Sequence, residues 1–255
     1  MRFWNSILRE WDDLPEYMKT PEVRPYWEIL NRKRGELFLK RVFDCTVAFL
    51  LLSILAIPML VIAVLIKLDS PGSVFYRQER VTAYGTRFRI HKFRTMVSDA
   101  DKIGSSVTVD KDRRITRIGS KLRNLRLDEL PQLFDILEGT MSLVGTRPES
   151  LKYVEQYQPE YYATLLMPAG VTSEASIRYK KEGELFDITD NIDRVYVEQV
   201  LPEKMKWNLE SIRRFRFLRE IVTLFRTVFA VLGKDYNGVI DGPRKKPDTH
   251  AVFTD

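Results

Sequence analysis

Residues 45–66 read CTVAFLLLSILAIPMLVIAVLI, a run of 22 residues without a charge. A helix of about 20 apolar residues crosses the hydrocarbon core of a bilayer, so this run has the length of a membrane helix. It does not fit a secretory signal, because more than 40 residues precede it and no small-residue cleavage site follows. A buried core helix is the alternative, but it rarely lacks a charged position over such a length. The run therefore predicts a membrane element.

Two features of this run favour a helix that enters the membrane and returns. Pro58 lies near its middle, where a proline removes a backbone hydrogen bond and bends a helix. Ser53, about one turn earlier, is a candidate partner for the freed carbonyl. Basic residues flank both ends, and a simple span would send one cluster outside, against the positive-inside tendency. These are Arg32, Lys33, Arg34, Lys40 and Arg41 before the run, and Lys67, Arg77 and Arg80 after it.

The net charge of +6 hides an uneven distribution. Residues 77–126 carry a net +9 and residues 204–246 a net +7, which leaves −10 for the remainder. Two basic blocks in an otherwise acidic chain favour an anionic partner: a nucleic acid, a membrane surface or a phosphorylated substrate. Solvated charged faces are the alternative. The single cysteine, Cys45, excludes a disulfide scaffold and is typical of a small core hydrophobe.

Outside the apolar run, the pattern predicts a helix-rich α+β protein. Short β-like stretches at 74–76 and 88–90 form a small hairpin, and helices are expected at 112–126, 130–138 and, with interruptions, 150–166. Residues 205–232 give the longest helical pattern, an apolar stripe bordered by arginines. Such a stripe fits a helix in the membrane interface or one packed on a core.

The chain divides into four predicted segments. Residues 1–39 form an N-terminal extension whose aromatic residues suit either a membrane interface or packing onto the soluble domain. Residues 40–68 form the membrane helix, residues 69–233 the main domain with its interfacial helices, and residues 234–255 a C-terminal tail.

Adjacent carboxylates in LRLDELPQLFDIL, residues 125–137, are the most informative chemical feature. Because proline is tolerated in the first turn of a helix, Pro131 places Asp128 and Glu129 at or just before a helix N-terminus. Two carboxylates beside many arginines fit a divalent metal and a phosphate substrate. Simple helix capping is the alternative.

Other motifs are less specific. Arg147 lies between turn residues in MSLVGTRPE, residues 141–149, a suitable place for holding an oxyanion, and residues 168–173 form a second small-residue loop. Neither glycine loop matches a P-loop or a dinucleotide fingerprint. His91 and His250 are too few and too far apart in sequence for a zinc site.

The order of motifs along residues 40–233 closely resembles the bacterial sugar transferases, which are monotopic polyprenyl-phosphate phosphoglycosyl transferases. Eight motifs in the same order are far more specific than any one alone. They are Lys40-Arg41-x-x-Asp44, the apolar run with its proline, Asp69-Ser70-Pro71-Gly72, Phe75-x-Arg77-Gln78-Glu79-Arg80, Lys92-Phe93-Arg94-Thr95-Met96, Arg117-Ile118-Gly119, Leu127-Asp128-Glu129-Leu130-Pro131-Gln132-Leu133 and Met141-Ser142-Leu143-Val144-Gly145-x-Arg147-Pro148.

The resemblance implies a fold, a location and a reaction. The implied fold has a re-entrant membrane helix bent at a proline, with interfacial amphipathic helices that hold the active site at the cytoplasmic face of the bacterial inner membrane. Members of the family transfer a sugar 1-phosphate from a UDP-sugar to undecaprenyl phosphate, release UMP and begin surface-glycan (exopolysaccharide) synthesis. Membrane lipids are implied partners, and the sequence leaves open whether the protein is a homodimer.

The resemblance also implies roles for individual residues. Asp128 would be the nucleophile that forms a covalent phospho-sugar intermediate, and Glu129 would help to hold Mg²⁺. Lys92, Arg94 and Arg123 would contact the two phosphates. Arg147 would face the nucleotide. Asp193 resembles a family aspartate near the active site.

Two departures from the family pattern concern specificity. Thr146 stands where the family commonly has the first proline of Pro-Arg-Pro, and residues 174–179 replace a frequent Gln-Val-x-Gly-Arg segment. The sequence does not reveal which sugar is transferred. A non-catalytic assembly factor with the same fold is the alternative function, which a test for UMP release would distinguish. A nucleic-acid binder is disfavoured by the apolar run and by the absence of a binding motif.

Overall fold

A computed structural model describes residues 7–98, 100, 112–179 and 192–231. Within these ranges the chain is a helix-rich α+β protein with two small sheets. The principal elements are α1 (Arg24–Asn31), α2 (Arg34–Asp69), β1 (Phe75–Val81), β2 (Arg87–Phe93), α3 (Arg117–Asn124), α4 (Gln132–Glu138), β3 (Met141–Val144), α5 (Leu151–Val154), β4 (Ala169–Thr172), α6 (Glu174–Arg178), α7 (Ile192–Val195), α8 (Leu201–Arg213) and α9 (Phe217–Val231). Shorter 3₁₀ turns include Trp11–Asp13, Glu16–Met18, Ala83–Gly85, Leu127–Glu129 and Pro159–Leu166, and a π-helical segment, Tyr196–Val200, joins α7 to α8.

The apolar run lies inside α2, a 36-residue helix that is long and apolar enough to cross a membrane. The helix extends beyond the predicted 40–68 at both ends, and Pro58 lies within it. The prediction that Ser53 bonds the carbonyl freed by the proline is wrong. The Ser53 hydroxyl donates instead to the Phe49 carbonyl at 2.9 Å. That bond forms because a serine inside a helix reaches the carbonyl one turn earlier.

Burial along α2 is confined to its two ends. No residue from 49 to 58 is buried, whereas buried residues lie at Leu37–Ala48 and at Met59–Ile66. Ile54 and Ile57 are 72% and 76% exposed. Exposure of such large apolar side chains fits a helix whose middle lies in lipid.

The predicted hairpin is present, with β1 antiparallel to β2 and Tyr76 opposite Lys92. A second sheet, of β3 and β4, lies where the sequence pattern predicts loops. The two strands pair in parallel, Met141 with Ala169 and Ser142 with Gly170. A Cβ on Gly170 would overlap the Gly145 backbone, so this close approach requires glycine.

The N-terminal residues belong to the main core. Tyr26, Trp27 and Leu30 of α1 are buried in one cluster with Leu201, Met205 and Leu209 of α8. Leu8, Leu14, Met18 and Val23 belong to the same cluster. Of the two placements left open for this segment, Trp11, Tyr26 and Trp27 therefore adopt the one on the soluble domain.

The single helix predicted at 205–232 is wrong, because the structure breaks it into α8 and α9. Residues 214–216 separate them, and Phe215 turns inward with 1% exposure. Helix α9 leaves Leu218 and Phe225 73% and 61% exposed. The helix predicted at 112–126 is shorter, Arg117–Asn124. The predicted tail, 234–255, lies outside the described residues.

Candidate active site

The two adjacent carboxylates lie on the 3₁₀ turn Leu127–Glu129, directly before Pro131 and α4. This is the position that Pro131 predicts. The turn is entered through Arg126, which has a left-handed backbone (φ 56°). Leu127 and Leu130, on either side of the carboxylates, pack on a buried apolar cluster. Packing of these leucines fixes the turn and leaves both carboxylates at the margin of the core.

Glu129 is held by two cations. Both oxygens of its carboxylate accept from the Arg147 guanidinium, with Nη1 3.3 Å from Oε2 and Nη2 bonded to Oε1. Lys92 Nζ lies 3.5 Å from the same Oε1. Burial alone would raise the pKa of Glu129, but the charges of Arg147 and Lys92 hold it well below its usual range. Glu129 therefore stays ionised and is fixed in place.

Asp128 has the opposite electrostatic environment. Within the described residues no hydrogen bond reaches its carboxylate. Burial and then the neighbouring charge of Glu129 raise its pKa, while Lys92 and Arg123 oppose the shift. A partly desolvated carboxylate without a hydrogen-bond partner is a better nucleophile than one in a salt bridge.

Lys92 and Arg123 reach the site from different elements. Lys92 is on β2, and burial lowers its pKa against the attraction of Glu129. Arg123 is in the last turn of α3, where burial lowers the pKa of its guanidinium against the attraction of Asp128. Together with Arg147, these side chains surround the two carboxylates with positive charge, as a phosphate site requires.

The structure places Arg94 away from the carboxylates. Its guanidinium donates to Pro71 O at 2.8 Å and to Ser70 O at 2.6 Å, at the C-terminal end of α2. The side chain is 7% exposed and has no contact with Asp128 or Glu129. The physical reason is that the last carbonyls of a helix lack intrahelical donors, and an arginine nearby supplies them.

Asp193 lies in a neighbouring polar cluster. Its carboxylate accepts from Tyr153 Oη at 2.7 Å and from Lys152 Nζ at 2.5 Å. Those two hydrogen bonds lower its pKa. Glu149 accepts from Tyr196 Oη beside this group, at 2.5 Å. Asp193 contacts neither member of the carboxylate pair.

Sequence reasoning assigned no site role to Arg80. Burial lowers the pKa of the Arg80 guanidinium, and the negative charge of Glu149 opposes the shift. Its guanidinium donates to Gln78 Oε1 at 2.6 Å. The alternation of the strand could have indicated Arg80. Residues two apart on a strand share a face, so Tyr76, Gln78 and Arg80 lie on one face of β1, and Lys92 is opposite Tyr76 on the same face of the sheet.

Gln132, which the sequence places in a motif without a role of its own, has a buried amide. It is 1% exposed, and neither atom of its amide has a hydrogen-bond partner among the described residues. Gln132 follows Asp128 by four residues and Glu129 by three, which is the spacing of one helical turn. Its amide oxygen is therefore a further candidate metal ligand.

A second group of possible metal ligands includes His91. Ligand atoms of His91, Asp135 and Glu138 lie within 4.8 Å of one another. Both oxygens of Asp135 already accept from His91, Oδ1 from the ring at 2.8 Å and Oδ2 from the backbone N–H at 2.9 Å. The His91–Asp135 hydrogen bonds link β2 to α4.

The two departures from the family pattern both lie on ordered backbone. Thr146 O accepts from Gly170 N at 2.8 Å, so β4 supports the loop that lacks the proline. The replaced segment 174–179 forms α6, which Ser173 caps by accepting from Ser176 N at 3.0 Å.

Comparison with known proteins identifies relatives over most of the chain. Residues 35–234 match the bacterial sugar transferase family. A UDP-N-acetylgalactosamine-undecaprenyl-phosphate N-acetylgalactosaminephosphotransferase of Aeromonas hydrophila is 34% identical over 198 residues, which is 76% of this chain and 44% of that protein. A putative undecaprenyl-phosphate N-acetylgalactosaminyl 1-phosphate transferase of Bacillus subtilis is 43% identical over 150 residues, 58% of this chain and 82% of that protein.

A further relative is the UDP-glucose:undecaprenyl-phosphate glucose-1-phosphate transferase of Escherichia coli. It is 35% identical over 195 residues, 75% of this chain and 39% of that protein. The chain thus spans less than half the length of the Aeromonas and Escherichia relatives.

Proposed function

The chain belongs to the bacterial sugar transferase family, and we propose that it transfers a sugar 1-phosphate from a UDP-sugar to undecaprenyl phosphate, releasing UMP at the start of surface-glycan synthesis. The observation that carries the proposal is the pair Asp128 and Glu129, with Lys92, Arg123 and Arg147 around it. The names of the relatives, which cite undecaprenyl phosphate and UDP-sugars, supply the substrate classes.

Asp128 is the proposed nucleophile. One of its carboxylate oxygens attacks the phosphorus attached to the sugar, the bond from that phosphorus to UMP breaks, and an aspartyl phospho-sugar forms. An oxygen of undecaprenyl phosphate then attacks the same phosphorus, and Asp128 leaves as a carboxylate. Attack of an anion on a diphosphate needs its charge neutralised, which Lys92, Arg123 and Arg147 provide. Glu129 orients Arg147 and Lys92 through its own contacts.

Mg²⁺ is the proposed cofactor. Carboxylate oxygens are its preferred protein ligands, and it keeps waters and substrate phosphate oxygens as the remaining ligands. Glu129 would hold the ion by exchanging one of its contacts with Arg147 or Lys92 for the metal. Gln132 follows Glu129 by three residues, and its amide oxygen, which has no partner among the described residues, fits the same chemistry. Once bound, the ion would add positive charge at the diphosphate.

The proposed location is the cytoplasmic face of the bacterial inner membrane, with α2 re-entrant at Pro58. Support comes from burial: both ends of α2 pack on the same described domain, while residues 49–58 are not buried. A helix with both ends on one domain keeps both basic flanks on one side. Cysteine labelling in intact cells on either side of Pro58 tests this, and external labelling just after Ile66 would exclude re-entry.

Covalent labelling tests the proposed reaction. A UDP-sugar with ³²P in the β-phosphate should label the wild-type protein and the Asp13→Asn control, because Asp13 is exposed and far from the pair in sequence. Asp128→Asn should abolish labelling, since no other group replaces a covalent nucleophile. Retained labelling would exclude Asp128. Absence of UMP release by wild-type protein with Mg²⁺ and undecaprenyl phosphate would favour the assembly factor instead.

A further inference from the structure

The C-terminal end of α2 is bound by Arg94, the residue that directly follows β2. Arg94 Nη2 donates to Ser70 O at 2.6 Å, to Ser70 Oγ at 3.0 Å and to Ile66 O at 3.4 Å, and Nη1 donates to Pro71 O at 2.8 Å. The side chain is buried, and Gly72 (φ 122°) makes room for it, because a Cβ there would overlap Nη1. The end of the membrane helix and the end of β2 are therefore one packed unit.

Helix α3 joins the same unit through Asp69. This last residue of α2 accepts from the Ile118 backbone N–H at 2.9 Å, in the first turn of α3. The start of α3 also lies against the chain after β2, since Thr116 N donates to Thr95 O at 3.0 Å. A Cβ on Gly119 would overlap that same carbonyl. The position of α3 is thus set by α2 on one side and β2 on the other.

An apolar cluster fills the space between these elements. Met59, Ile62 and Ile66 of α2 are buried against Phe93 and Leu122. Leu127 and Leu130, which flank the carboxylate pair, pack on the same cluster. The last two turns of the membrane helix therefore support the turn that carries Asp128.

We propose that Arg94 and Asp69 are positioning residues that set Lys92 and Arg123 against Asp128 through the end of the membrane helix. Lys92 is two residues before Arg94 on the same chain segment, and Arg123 is in the last turn of the helix that Asp69 holds. Arginine suits this task because its planar fork serves several carbonyls at once. The consequence for substrate binding rests on the proposed function, but the positioning itself does not.

Hydrogen–deuterium exchange of the full chain in nanodiscs tests the positioning without any substrate. Arg94→Lys keeps the charge but loses the fork, so exchange should rise at least about tenfold at residues 66–72, 93–95 and 117–124 together. Arg89→Lys is the control, because Arg89 is an exposed arginine on β2, the strand that Arg94 follows. Asp69→Leu should raise exchange at 117–124, and Asp69→Asn, which keeps an acceptor oxygen, should not. A rise confined to 66–72, or no rise, would overturn the proposal.

Calorimetric titration with UDP tests the consequence at the site. A merely structural role lowers the fraction of protein that binds and leaves the affinity of the folded remainder unchanged. Displaced cations weaken the affinity itself, so we expect the Kd for UDP to rise about tenfold in Arg94→Lys at unchanged stoichiometry. A lower stoichiometry with wild-type Kd would contradict the positioning role. Wild-type protein that does not bind UDP would instead contradict the proposed substrate class, while the exchange data would still decide the positioning.

Discussion

At the residue scale, two adjacent carboxylates have pKa values displaced in opposite directions. Both are desolvated, but Glu129 has the bidentate contact with Arg147, and Asp128 has the neighbouring negative charge. Environments that separate the pKa values of neighbouring acids commonly mark different chemical roles. In the proposed function, the ionised Glu129 would organise the cations and Asp128 would be the group that reacts.

Gln132 provides a prediction that separates stability from activity. Its buried amide lacks partners among the described residues, which costs about 1–3 kcal/mol for a desolvated polar group. Gln132→Met keeps the approximate volume without the amide, so the thermal midpoint in nanodiscs should rise while UMP release falls. Gln158→Met, at an exposed position, should change neither. A lower midpoint in Gln132→Met would show that the amide has a stabilising partner.

Tyr26 provides a pH prediction. Its hydroxyl donates to Glu160 Oε1 at 2.5 Å, and burial together with that acceptor raises its pKa to about 12. The unfolded phenol titrates near 10, so its contribution to stability is complete below about pH 10 and is lost as the pH rises towards 12. In detergent, the free energy of unfolding should fall less steeply in Tyr26→Phe than in wild type between about pH 10 and pH 12. Equal slopes would contradict the shift.

At the element scale, buried charged side chains help to attach the N-terminal half of α2 to the domain. Near its N-terminal end, Lys40 Nζ lies 2.8 Å from Glu220 Oε2 of α9 and 3.5 Å from Asp44 Oδ2. Asp44 Oδ2 also accepts from Ser142 Oγ of β3 at 2.6 Å. One buried lysine thus connects the membrane helix, the amphipathic α9 and the parallel sheet.

Lys40→Met should be strongly destabilising, because it leaves Asp44 and Glu220 buried together without a cation. Removal of one partner from a buried ion pair typically costs about 3–5 kcal/mol. The double variant Lys40→Met with Glu220→Leu should recover much of this loss, since Asp44 keeps Ser142. Denaturation in nanodiscs measures both, with Lys206→Met, whose ion pair is on the surface, as the control that leaves the midpoint unchanged. A double variant no more stable than the single one would contradict this account.

At the scale of the whole molecule, local sequence signals predicted local features well. Pro131 located the carboxylate pair, and alternation located the hairpin, because both depend on neighbours within a few residues. The pairing of β3 with β4 was missed because each strand has only four residues and 24 residues lie between them. The motif around Arg94 is visible in the sequence, but the partners of its guanidinium are not. Arg94 donates to the carbonyls of Ile66, Ser70 and Pro71, which are close to it only in the folded chain.

For the N-terminal segment, the sequence leaves open whether the aromatic residues lie at a membrane interface or on the domain, and tertiary packing decides between the two. Met18 is fully buried in the main core, together with residues of α8 far along the chain. Met18→Ala should therefore lower the free energy of unfolding by about 2–5 kcal/mol, the usual cost of a core cavity. Glu22→Ala, an exposed position four residues on, is the control and should have little effect. If the two variants had the same free energy of unfolding, residues 7–31 would not contribute to the core, and the rest of the described domain would fold without them.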